Sequence, residues 1–203
     1  LPEHRKLLAQ LALAISSVVL VAVGLNGTSA FGMDIEVDGS QVVMSGDVTG
    51  TECEELLSVL QQNPIRSVVL TQSKGGRADS GYCVGALIRQ HQLSTVIRGS
   101  CASSCSRMWL GGVSRTLDGP NSRVGLHGNY DRAGNLEPGA PARLQAWIPT
   151  YAPVNRRLME QWTTLPVNKQ MMFFYNDRAE LCDHGHCTRM PGWNALNAGL
   201  ATQ

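Results

Sequence analysis

Between Arg66 and Leu126 short apolar runs alternate with amphipathic stretches, and this alternation constrains the fold more than any other feature of the chain. Arg66-Ser-Val-Val-Leu-Thr71 is bounded like a buried strand. A helical pattern follows from about Ser80 to His91, then a strand at Thr95-Val-Ile97, a helix start over Ser103 to Leu110, and a strand at Arg123-Val-Gly-Leu126. Strands separated by helices need crossover connections, so the order predicts α/β layering with parallel pairing. Upstream, Ile35-Glu-Val37 and Val42-Val-Met44 flank Asp38-Gly39, a hairpin signal. Thr51-Glu-Cys-Glu54 offers a hydroxyl at a helix start and a carboxylate three residues on, the form of a capping box. Leu56, Leu57, Val59 and Leu60 give that helix an apolar face, and Asn63-Pro64 stops it. Beyond His127, residues 128–141 read as loop. Residues 142–172 read as mostly helical, broken near Pro149, Pro153 and Pro166.

The first thirty residues have a different character. His4, Arg5 and Lys6 form a basic start, Leu7 to Leu25 is almost wholly apolar, and Asn26-Gly-Thr-Ser-Ala30 is small and polar. That order fits a secretory signal cut after Ala30. The apolar run also approaches the roughly 20 residues that span a bilayer, so an uncleaved anchor is the alternative. Either reading sets residues 34–203 apart as the folded domain and places it outside the cytosol, in a periplasmic or comparable compartment.

Six cysteines, all beyond that segment, agree with export: Cys53, Cys83, Cys101, Cys105, Cys182 and Cys187. An even set behind an export signal points to disulfides, whose pairing sequence alone leaves open. Cys182-Asp-His-Gly-His-Cys187 is too compressed for a common zinc finger, and a short disulfide loop ahead of a final helix is expected there instead. A Cys101–Cys105 bond is strained if both residues share one regular helix. The net charge of +1 carries no basic excess for nucleic-acid binding. No metal site or cofactor is expected.

Three stretches carry chemistry. Ser73-Lys-Gly-Gly-Arg77 sets a glycine pair between strand and helix, where backbone N–H groups can turn outward to an oxyanion. Gly99-Ser-Cys-Ala-Ser-Ser-Cys105 places hydroxyls at a helix start directly after a strand. A serine there either caps the helix or serves as a nucleophile if a base reaches it. Pro120-Asn-Ser-Arg-Val-Gly-Leu-His127 ends an apolar strand in a histidine, at the sheet edge where α/β folds bind ligands. Its alternative is a structural histidine.

The order of these stretches resembles the Clp protease proteolytic-subunit family over roughly residues 41 to 200. Val42-Val-Met-Ser-Gly-Asp-Val-Thr49 is similar to that family's opening strand and loop, and Val69-Leu-Thr-Gln-Ser-Lys-Gly-Gly76 to the strand entering its "N-S-P-G-G" loop. Gly99-Ser-Cys-Ala-Ser103 is similar to its "G-x-A-A-S" motif, Pro120–His127 to its "P-N-S-R-V-M-I-H" motif, and Ala195-Leu-Asn-Ala-Gly-Leu200 to its "A-x-E-x-G-L" ending. The resemblance implies a layered α/β fold of the ClpP/crotonase type, with a mostly parallel sheet and flanking helices. It implies Ser103 as nucleophile, His127 as general base, and the N–H groups of Gly76 and Ser104 as oxyanion hole. Asp177 would complete a triad, with Asp183 as the alternative from ungapped counting. It further implies peptide or protein substrates and allows a homo-oligomer, with membrane contact only through an uncleaved N-terminal segment.

The sequence departs from the cytosolic enzymes at Cys101 and Cys105, which bracket the nucleophile position, and at Lys74, where the family has proline. The expected function is a serine hydrolase, a peptidase acting by acyl transfer. The alternatives are an inactive exported module that binds peptides or assembles with partners, and a crotonase-type acyl-CoA enzyme.

Overall fold

The computed structural model describes residues 32–165 and 170–203. The apolar segment Leu7–Leu25, the leader expected over residues 1–30 and the helix break at Pro166 lie outside the described residues. Among the described residues, no helix is long and apolar enough to cross a membrane.

The chain begins with the expected hairpin: β1 (Asp34–Asp38) and β2 (Gln41–Ser45) pair antiparallel across Gly39, which sits at φ +60°. The alternating section follows as α1 (Glu52–Gln62), β3 (Ser67–Ser73), α2 (Ala78–Gln90), β4 (Ser94–Ala102), α3 (Ser104–Leu110), β5 (Arg115–Leu117) and β6 (Arg123–Leu126). Next come α4 (Ala140–Trp147), a 3-10 turn at Ile148–Thr150, α5 (Arg156–Thr163), β7 (Gln170–Phe174), β8 (Ala179–Asp183) and β9 (His186–Arg189).

The nine strands among the described residues join one sheet in the order β1-β2-β3-β4-β6-β7-β8-β9, with β5 on the first half of β4 and β6 on its second half. The ladders linking β2, β3, β4 and β6 are parallel. They advance in one direction, so right-handed crossovers place α1, α2 and α3 together on one face. Burial agrees: Val42, Met44, Val68, Leu70 and Ile97 pack with Leu56, Val84, Ile88, Met108 and Trp109 in a single core. The helices α2 and α3 touch closely, since a Cβ on Gly81 or Gly85 would fall against the carbonyl oxygen of Ser104 or Arg107.

Four expectations are corrected. The sheet is mixed rather than mostly parallel, because both margins are antiparallel. Residues 170–172, expected within the helical stretch, instead open the strand β7; a short apolar run such as Met171-Met-Phe-Phe174 suits either state by periodicity alone. No final helix follows Cys187: the chain forms β9 and then turns. The Thr51 hydroxyl caps nothing. Instead the buried Glu52 carboxylate accepts from Thr49 N (2.6 Å), Gly50 N (2.8 Å) and the Ser80 hydroxyl, closing the loop before α1 and tying it to α2.

All six cysteines are paired. Cys53–Cys83 joins α1 to α2, and Cys182–Cys187 joins β8 to β9 across the His184-Gly185 turn, both residues of which have positive φ. Cys101–Cys105 closes because the two do not share a helix: Cys101 ends in β4, Cys105 lies in α3, and the chain turns sharply between them.

Candidate active site

The parallel strands end at one edge of the sheet, and the three loops singled out above meet there around a cleft of about 630 Å³. Gly76 follows β3, Ser103 follows β4 and His127 follows β6; all three line the cleft.

Ser103 occupies a backbone conformation that L-residues rarely adopt, φ 55° and ψ −124°. It is the elbow where β4 turns into α3. Its N–H donates to the Gly125 carbonyl (2.9 Å), and its own carbonyl accepts from Ser106 N (3.0 Å) and from the Ser106 hydroxyl. The sharp turn keeps the side chain half-exposed in the cleft while Ser104 and the rest of α3 are buried. Strain of this kind is worth about 1–3 kcal/mol and persists where the surroundings enforce it.

The glycine pair explains how the loop after β3 fits. Gly75 lies at φ +91°, and a Cβ there would stand 2.5 Å from the Ser103 Cβ. No side chain fits between the two loops. Val48 bridges in parallel to Gly76 through Val48 N–Gly75 O (2.8 Å) and Arg77 N–Val48 O (2.9 Å), a pattern that leaves the Gly76 N–H outside the ladder. Ser104 N–H belongs to the first turn of α3, which has no partner within the helix. Among the described residues neither N–H donates to another protein group.

His127 is buried, with 7% of its surface exposed. Its Nδ1 lies 2.5 Å from the Gly128 carbonyl oxygen, so Nδ1 carries the proton and Nε2 keeps its lone pair. Burial first and the neighbouring Arg107 charge second lower its pKa to about 4, with the Gly128 carbonyl offsetting part of both effects. The imidazole is therefore neutral at physiological pH. The hydroxyl of Ser103 and the imidazole share the cleft without a direct hydrogen bond.

The structure does not bring Asp177 to this site. β7 runs antiparallel to β6, with Leu126 opposite Met172 and Val124 opposite Phe174. The chain after Phe174 thus runs toward the end of β6 remote from His127. Asp177 is exposed there and pairs with Arg178 (2.9 Å). Asp183 lies opposite Gln170, at the correct end of the sheet but on β8, two strands from β6 or about 10 Å. It bonds to its neighbour His184 (2.7 Å). The acids that do line the cleft, Asp79, Asp131 and Glu137, make no hydrogen bond to His127. Asp79 pairs with Arg143 (3.0 Å), and Asp131 accepts from Asn135 N (2.9 Å).

Sequence reading missed Arg107, Gly128, Asn129 and Tyr130. Arg107 is 2% exposed and has no carboxylate partner among the described residues; it bonds to the Asn129 side chain and lies 5.1 Å from the Tyr82 ring centre. Burial lowers its pKa from the ordinary arginine value. The available signal was a lone arginine leading into the apolar run Met108-Trp-Leu110. The Tyr130 ring lies 5.6 Å from that of His127, and burial raises its hydroxyl pKa to about 12.

A scan against protein-family models matches none, and no curated protein sequence matches either. Solved structures do. A point mutant of ClpP1 from Listeria monocytogenes superposes with a TM-score of 0.55 at 15% identity, covering 81% of this chain and 90% of that one. A point mutant of the 1510-N membrane-bound stomatin-specific protease superposes with a TM-score of 0.50 at 17% identity, covering 79% of this chain and 75% of that one. The fold is ClpP-like. At these identities the likeness is one of fold, and function rests on the site.

Proposed function

We propose that this chain is a serine hydrolase, a peptidase acting by acyl transfer, with Ser103 as nucleophile and His127 as general base. The observation that carries the reading is the convergence of a strained helix-start serine, a neutral histidine and Gly76 on one cleft, with the undonated N–H of Ser104 next to the serine in the chain. Ser103 Oγ attacks the substrate carbonyl carbon as its proton passes to His127 Nε2. The carbonyl oxygen, now negative, lies between the N–H groups of Gly76 and Ser104. His127 then returns the proton to the leaving amine, the C–N bond breaks, and water repeats the cycle on the acyl-enzyme. The Gly128 carbonyl holds the Nδ1 proton, the orienting task that an aspartate performs in a triad.

Three disulfides support an oxidising compartment and hence an exported domain, and the one-sided helical layer supports crotonase-type layering. Substrates are peptides or proteins, and assembly into a homo-oligomer belongs to the same reading. A catalytically silent peptide-binding module is the second reading, favoured by the absence of a carboxylate on His127 among the described residues. A fluorophosphonate probe decides between them. The oxidised protein should be labelled at Ser103, and Ser103→Ala and His127→Ala should each abolish labelling. An unlabelled, folded wild-type protein would leave only the binding module.

A further inference from the structure

We infer that Cys101 and Cys105 are a positioning pair for Ser103: their disulfide is a covalent chord across the elbow that holds the serine in its strained, half-exposed conformation. The inference rests on reading Ser103 as the nucleophile, and adds what keeps it poised.

The two cysteines stand on opposite sides of the turn. Cys101 is fixed within the sheet, paired with Ser73 of β3 on one side and Val124 of β6 on the other. Ala102 remains in the ladder opposite Gly125. Cys105 lies in the first turn of α3. Their Cα atoms are 5.3 Å apart, whereas four residues of extended chain would separate them by about 13 Å. With Ala102 held in the sheet, the change of direction falls on Ser103, and its φ of 55° supplies it. Relaxing Ser103 to an ordinary extended conformation would straighten the chain and carry Cys105 away from Cys101. The bond forbids this.

Packing on α2 holds α3 as a body, and the disulfide adds a covalent link directly across the turn. The hydrogen bonds of Ser103 itself reach only Gly125 and Ser106, and Ser106 moves with α3. The facing residue, Gly75, has no side chain to press on the elbow. The chord also fixes the Ser104 N–H relative to Gly76, because Ser104 lies inside the closed loop. The same bond therefore sets both the nucleophile and one donor for the oxyanion.

Its setting differs from that of the other short-loop disulfide. Cys101 and Cys105 are both fully buried, whereas Cys187 is exposed on β9, three strands from β6, and does not line the cleft. This makes Cys182–Cys187 the internal control: loss of a short disulfide loop without loss of the elbow.

The test compares wild type with Cys101→Ala/Cys105→Ala, Cys101→Val/Cys105→Ala and Cys182→Ala/Cys187→Ala. Fluorophosphonate labelling is measured per folded molecule, kcat and KM on a peptide ester, and Ser103 φ by crystallography. The elbow variants should be labelled about 10- to 100-fold more slowly, with the loss in kcat rather than KM and the His127 titration unmoved. Their Ser103 φ should turn negative, while the control keeps the wild-type rate. Elbow variants with wild-type labelling and positive Ser103 φ would overturn the inference, as would failure of both to fold, which would make the bond a plain stability element. If wild-type protein is not labelled at all, the hydrolase reading falls. The crystallographic φ of the variants then still decides the chord: positive overturns it, negative sustains it.

Discussion

Acidification should destabilise the folded domain through His127 before most carboxylates protonate. The imidazole is buried beside the Arg107 guanidinium of α3 and the Tyr130 ring, with the Gly128 carbonyl on Nδ1. Its pKa falls from 6.5 to about 4, by burial first and by the Arg107 charge second. In the unfolded chain it titrates near its ordinary value. Between those two values the unfolded state binds a proton that the folded state refuses. Stability is therefore full above about pH 6.5, falls as pH drops through the window, and loses nothing further from this group below about pH 4. The shift corresponds to roughly 3 kcal/mol, a substantial part of the 5–15 kcal/mol typical of a domain. Urea unfolding with disulfides intact, from pH 7 to pH 4, should be run on wild type and on His127→Gln. Glutamine does not titrate, so the difference between the two curves isolates the imidazole. The wild-type stability relative to the variant should shrink by about 3 kcal/mol across the window. Parallel curves would refute a buried, neutral His127. The catalytic counterpart is an acid limb of Ser103 labelling near pH 4 instead of near 6.5.

Glu52→Gln removes the charge that accepts from Thr49, Gly50 and Ser80; thermal unfolding at pH 7 should show a loss of about 1–3 kcal/mol. Burial raises the Glu52 pKa, but those hydrogen bonds outweigh it and hold the group below its ordinary value, so wild-type stability from this source disappears as pH falls through the folded pKa. Gly81→Ala drives a Cβ against the Ser104 carbonyl; denaturant melts should show about 1–3 kcal/mol of destabilisation, with slower Ser103 labelling as the start of α3 moves. Asp177→Asn should leave the labelling rate unchanged, because its carboxylate serves Arg178 at the remote end of β6; a large loss of rate would show that another arrangement of β7 places it on His127.

The central fold was legible because its signals are local. The strands β3, β4 and β6 each contain a short apolar run, α1 and α2 have an amphipathic period, and parallel pairing follows from their alternation; β5, Arg115-Thr-Leu117, has no such run and was not legible. The cleft was legible for the same reason: Gly76, Ser103 and His127 each follow a strand, and a parallel sheet delivers successive carboxyl ends to one edge. The cap of α1 was misread because Thr51-x-x-Glu54 satisfies the pattern of a capping box, yet Glu52 reaches back to Thr49 and Gly50. Nothing in sequence spacing separates those two solutions.

The acid was illegible for a reason that lies in the direction of one strand. Assigning Asp177 from its place after a helical segment assumes that the chain leaving that segment comes back to His127. The run Met171-Met-Phe-Phe174, which periodicity leaves undecided between helix and strand, instead pairs antiparallel with β6 and carries Asp177 the length of that strand away. A reversal of direction is a tertiary fact, set by the pairing of residues about fifty apart, and no local pattern records it. What His127 meets in place of a carboxylate is its own neighbour's carbonyl on Nδ1 and a buried guanidinium close by. The carbonyl fixes the tautomer that an aspartate would fix, but the guanidinium opposes the imidazolium that an aspartate would stabilise. With Ser103 as the proposed nucleophile, a site built this way accepts its proton less readily than a triad does. On that proposal the site depends more on the Ser103 elbow and on the N–H groups of Gly76 and Ser104, the features assigned above to the Cys101–Cys105 chord.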